Sequence, residues 1–148
     1  MGAQGLSDEL TDLRDLVIQR SRLLEISVTL NSTLEFDPLL RFIIESAADL
    51  TGSEAASILL ADDQTQALYF AAASGSSPQE LEEIPVPLEG SIAGTIFRED
   101  RPLIINEVAQ DPRHFRQVDE RTDFHTRSLI GVPMRIRDQV TGVLEAMN

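Results

Sequence analysis

The 148-residue chain contains no cysteine, no lysine and no tryptophan, a single tyrosine, and only two histidines, His114 and His125. Without cysteine there is no disulfide, thiolate metal site, cysteine nucleophile or thioether-attached cofactor. Without lysine there is no phosphate-cradling glycine-rich loop of the Gly-Lys type, and no Gly-x-Ser-x-Gly nucleophile turn is present either. Two histidines leave zinc dependent on carboxylates, and none stands at a ligating spacing, so no metal site is expected. No apolar run approaches the roughly 18 residues that read as a membrane span, and the N-terminus lacks a basic-then-apolar export signal. A cytoplasmic location without membrane contact is the expectation.

Positive charge is also scarce. Twelve arginines face 25 acidic residues, for a net charge of −13. A surface of that sign repels phosphate backbones, so no nucleic-acid partner is expected. The adjacent acids Asp62-Asp63, Glu82-Glu83 and Glu99-Asp100 sit where turns or helix ends point side chains into solvent. They offer no general acid–base pair, and no enzymatic activity is expected of this chain.

What is present is a succession of periodic segments. Leu10, Leu13, Val17 and Leu24 recur at three, four and seven residues, predicting one amphipathic helix over residues 1–30. Such a stripe suits a parallel homodimer, although Arg20 and Ser27 interrupt a strict heptad and packing on the helix's own domain remains the alternative. Asp37-Pro38 reads as N-cap and first position of a second helix reaching residue 51, stopped by Gly52. Residues 55–61 and 67–73 are apolar runs split by five polar residues, a hairpin. Val86 to Leu88 is a short edge segment. Gly90-Ser91 opens a third helix with Ile92, Ala93, Ile96 and Phe97 on its buried face, and its free N–H groups offer a weak anion site. After a strand at 103–106 comes a polar stretch, 107–126, of the length that usually carries function in a compact domain. Ser128 to Arg137 and Val140 to Met147 close the chain as two strands around a turn at Asp138-Gln139.

The segments LLEISVTLNSTLEFDPLLRFIIESAADLTGSEAASILLAD, PLEGSIAGTIFREDRPLIINEVAQDPRH and SLIGVPMRIRDQVTGVLEAMN, in that order, resemble a GAF domain, a sensory relative of the PAS fold, over residues 23–148. The resemblance implies an α+β domain at 31–148 with an antiparallel sheet in the order 2-1-5-4-3, helices on both faces, and a ligand pocket roofed by residues 90–124. The family's usual last helix has no counterpart, so the segment is expected to be a C-terminally truncated piece of a longer signalling protein. A bilin-binding role and a free methionine sulfoxide reductase role both require cysteines that are missing. Of the Asn-Lys-Phe signature of cyclic-nucleotide binders only Asn148 is present.

Ten residues are expected at the pocket: Ala72, Ile92, Ile96, Asn106, His114, Phe115, Phe124, Ser128, Leu129 and Gly131. Ile and Phe would give apolar walls, Asn106 and Ser128 directional polar contacts, and Gly131 a close backbone approach. The same residues as packed core, with no void, are the alternative. Three functions follow from the resemblance: a ligand-sensing regulatory domain acting on an output domain through flanking helices, a ligand-free dimerisation and relay module, and a haem-based sensor using His114.

Overall fold

The computed structural model describes residues 10–18, 36–74, 81 and 84–148. The chain divides into two compact units, Met1–Pro38 and Leu39–Asn148. In the first, residues 10–18 are helical, and Leu10, Leu13 and Val17 are each more than half exposed. Leu24, the fourth member of the stripe, lies outside the described residues.

Helix α1, Phe36–Thr51, begins two residues before the predicted start, so Asp37 sits inside its first turn. There its negative charge still meets the positive end of the helix dipole. The helix stops at Gly52, whose φ of +66° is costly for a residue with a Cβ, and Thr51 Oγ1 donates to the carbonyl of Ala47 at 2.7 Å.

Six strands form one antiparallel sheet: β1, Ala55–Asp62; β2, Ala67–Ala73; β3, Val86–Pro87; β4, Leu103–Ile105; β5, Leu129–Ile136; and β6, Gln139–Met147. Their order is β3-β2-β1-β6-β5-β4. The five strands expected from the sequence keep their expected order, and the detail that differs is the sixth, β3, paired outside β2. Pro87 is tolerated there because an edge strand has one side with no ladder to feed. The β5–β6 turn is centred on Arg137 and Asp138, one residue earlier than expected. Arg137 takes the left-handed conformation at φ +57°, and Ile136 pairs with Gln139.

Strand alternation divides the core in two. Ala56, Ile58, Ala72 and Ala146 meet Leu40 and Ile44 of α1 on one face. Leu59, Leu68, Phe70, Leu129 and Val143 on the other face meet helix α2, Ile92–Glu99. Small residues under α1 let helix and sheet approach closely, which is what Ala56, Ala71, Ala72 and Ala146 supply. A bulge decides which alanine faces which side: Ile58 pairs with Ala72 but Leu59 pairs with Phe70, leaving Ala71 as the extra residue. The bulge reverses parity, so Phe70 and Ala72 point to opposite faces although they are two apart.

Helix α2 is pinned at its start. Ser91 is the N-cap; its Oγ accepts from the Gly94 N–H at 2.9 Å and donates to the carbonyl of Pro87. Gly94 is required because a Cβ there would collide with the backbone of Leu88. Helix α3, Arg116–Thr122, forms within the polar stretch, preceded by a 3₁₀ turn at Val108–Gln110.

Candidate functional site

Between the α2 face of the sheet and the 107–126 stretch lies a cavity of about 240 Å³. Its floor is strand: Ser57 and Leu59 of β1, Phe70 of β2, Leu129 of β5, and Glu145 and Met147 of β6. One wall is the start of α2, with Ser91, Ile92 and Ala93. The roof is His114, Phe115, Val118, Asp119, Phe124 and Thr126. Taking about 30 Å³ per water, the space would hold on the order of eight waters.

The roof is tied down by charge-assisted hydrogen bonds. Asp111 accepts from the Arg113 backbone N–H and from its guanidinium at 2.8–2.9 Å, which makes a turn before His114 and holds the Asp111 carboxyl below its usual range. Asp119 accepts from Thr126 N–H and Thr126 Oγ1, both at 3.0 Å, joining α3 to the approach to β5. His114 Nε2 lies 3.2 Å from Asp119 Oδ2, yet neither ring nitrogen completes a well-aligned hydrogen bond.

Polar atoms on the floor are also without partners. Ser57 and Glu145 face each other directly across β1 and β6 and are both buried. Ser57 Oγ makes no hydrogen bond. Desolvation alone pushes the Glu145 carboxyl up to about 7, with neither a hydrogen bond nor a positive neighbour to counter it. Buried polar groups left unsatisfied cost roughly 1–3 kcal/mol each, so three around one cavity require an account.

A GAF domain profile matches residues 33–148, most of the chain. The chain belongs to the GAF domain family. It is 25% identical over 135 residues to the Nif-specific regulatory protein of Herbaspirillum seropedicae, covering 90% of this chain and 25% of that one. The chain thus spans about a quarter of the length of that relative. Its structure is similar to the GAF domain of the Acinetobacter phosphoenolpyruvate-protein phosphotransferase, with TM-score 0.64, 22% identity, and coverage of 88% of this chain and 77% of that one. It is also similar to residues 122 to 287 of a methyl-accepting chemotaxis protein, with TM-score 0.62, 25% identity and coverage of 83% and 78%. GAF domains are a sensory fold present in signalling regulators of this kind. No helix among the described residues is long and apolar enough to cross a membrane.

Of the ten residues expected at the pocket of this GAF domain, Ile92, His114, Phe115, Phe124 and Leu129 line the cavity. The other five are placed elsewhere. Ala72 is on the α1 face because of the bulge in β2. Ile96 is wholly buried over Gly131, where a Cβ would strike its Cδ1, so the missing side chain admits α2 rather than a ligand. Asn106 is exposed past the end of β4. Ser128 is bound into the chain end: its N–H donates to Asn148 Oδ1 at 3.3 Å and its carbonyl accepts the Asn148 N–H at 2.9 Å. Asn148 Nδ2 also donates to the carbonyl of His125, so this asparagine serves as a structural clamp.

Ser57, Phe70 and Glu145 are among the lining residues that the sequence expectation does not include. Glu145 carried a readable signal, since period-2 alternation in VTGVLEAM puts an acid on the same face as Val143 and Met147. The haem reading does not fit: Nε2 of His114 faces the Asp119 carboxylate at 3.2 Å rather than an open axial position.

Proposed function

We propose that residues 31–148 form the ligand-sensing domain of a longer signalling protein, and that a small molecule in the cavity alters the geometry passed to an output domain. The observation that carries this reading is that Ser57 Oγ and both His114 ring nitrogens are buried without partners at a cavity that also holds the buried Glu145 carboxyl. A relay module with no ligand has no use for buried polar atoms that a leucine or valine would replace at lower cost. Ligand atoms supply the missing partners. Because these polar groups come from the sheet and from the roof, occupancy couples the two more tightly than the roof's own hydrogen bonds do.

The helix of residues 10–18 is assigned to a parallel homodimer seam. Leu10, Leu13 and Val17 lie on one helical stripe and are more than half exposed, and a second copy of the same stripe is their natural cover. The domain itself is assigned no catalytic turnover, because its cavity residues lack a nucleophile with an aligned base.

Native mass spectrometry of the chain purified from cells tests the sensing reading. A non-covalent small molecule is expected on the native protein, lost on denaturation, and absent from an Ala93→Phe variant whose ring fills the cavity. A wild-type chain that carries nothing, and whose melting temperature is unmoved by a dialysed-in metabolite extract, refutes it.

A further inference from the structure

The polar atoms around the cavity specify the kind of ligand. Ser57 Oγ and the Glu145 carboxyl stand opposite one another on the floor, and a residue pair in that position has Cβ atoms about 4.5–5.5 Å apart. Both residues are more than nine-tenths buried. From the roof comes His114, whose Nε2 faces Asp119. Neither ring nitrogen completes a hydrogen bond, and a neutral imidazole offers one acceptor nitrogen whichever tautomer it takes. The set is therefore three acceptors: a carboxylate, a hydroxyl oxygen and an imidazole nitrogen. A protonated primary amine presents three donors and no acceptor.

Charge points the same way. Among the described residues the cavity is lined by the acids Glu54, Asp119, Asp123 and Glu145, and by no arginine. Glu54 is neutralised by Arg127 at 3.1 Å, and Asp119 is engaged by Thr126 and His114. Glu145 has no such relief. The N-terminus of α2 contributes at most about half a positive charge, and Ser91 already occupies the Gly94 N–H. An anion would thus enter a net-negative, partly desolvated space, where like charges repel it.

We propose that this cavity binds a small organic amine with an apolar body, its ammonium held by Glu145, Ser57 and His114, and that it rejects carboxylates and phosphates. The proposal rests on the sensing reading above and narrows it. Leu59, Phe70, Ile92, Leu129 and Met147 provide the apolar sleeve for the body. The ammonium supplies the positive neighbour that Glu145 lacks, so a bound amine draws its carboxyl down from about 7 into the ionised form.

Three probes with one ring and different heads separate the possibilities: benzylamine, benzyl alcohol and benzoate, titrated into the full ¹⁵N-labelled chain at about pH 8, where both amine and Glu145 are charged. Benzylamine is expected to shift the amides of β1, β6 and α2 and to bind at least tenfold more tightly than benzyl alcohol, with benzoate inert. Glu145→Gln is expected to erase the amine preference while leaving benzyl alcohol unaffected, and Ser57→Ala to weaken the amine severalfold. Benzoate binding as well as benzylamine, or an amine preference that survives Glu145→Gln, overturns the assignment. If none of the probes shifts those amides, the amine assignment also fails. In that case the mass spectrum decides separately whether sensing stands: a co-purified molecule preserves it, an empty chain removes both.

Discussion

Replacing Glu145 by glutamine tests the electrostatic reading of the floor without any ligand. The carboxyl is buried beside Ser57 and its pKa rises from 4.5 to about 7 through desolvation alone. A folded-state pKa above the unfolded one means that the folded chain holds its proton longer. The neutral carboxyl imposes no ionic penalty below about pH 4.5, and stability is lost as pH rises from there through about 7. The difference of about 2.5 units, at 1.36 kcal/mol each, amounts to roughly 3 kcal/mol by pH 8. Glutamine keeps the size and a buried polar group but has no carboxyl proton to lose. Urea unfolding at pH 5, 6, 7 and 8 should therefore give a Glu145→Gln advantage that is about 1 kcal/mol or less at the acid end and grows to about 3 kcal/mol at the alkaline end. Taking the difference between the two proteins removes the background titration of the other carboxylates. Parallel pH profiles for wild type and variant would refute the reasoning, because they would mean that the carboxylate finds solvent or a cation when it ionises.

Other expectations can be checked by comparable means. Gly94→Ala places a methyl on the backbone of Leu88 and should cost at least 2 kcal/mol or so in chemical unfolding, more than Gly131→Ala, whose methyl meets only the tip of Ile96. Ser91→Ala removes the α2 cap and should cost about 1 kcal/mol, read by the same assay. If the N-terminal stripe is a dimer seam, Leu13→Glu with Val17→Glu should convert the chain to a monomer in sedimentation velocity while leaving far-UV circular dichroism of the sensor intact; an unchanged sedimentation coefficient counts against the seam.

Local chemistry made much of this chain legible before its structure. The cap and stop residues around α1 and α2 announce themselves because a helix end leaves backbone groups that only particular residues satisfy, as Ser91 and Gly52 do. The strands are legible because apolar runs of five to nine residues between polar turns have few other uses, and the absence of cysteine and lysine closed off whole chemistries at a glance. The cavity lining was only half visible. Ile92, Phe115 and Leu129 follow from element faces, but Ala72 was misplaced because one bulged residue, Ala71, reverses the parity of β2, and no local signal marks a bulge whose residues are all alanine. Gly131 was misread for a related reason: a glycine permits close approach, and only the packing of α2 decides that Ile96, rather than a ligand, makes it. Ser57 and Glu145 are 88 positions apart, and neither is notable alone; the β1–β6 register sets them face to face. A sequence specifies which groups can be buried, but which buried groups are left without a partner is decided only when distant strands align, and that alignment is what creates this site.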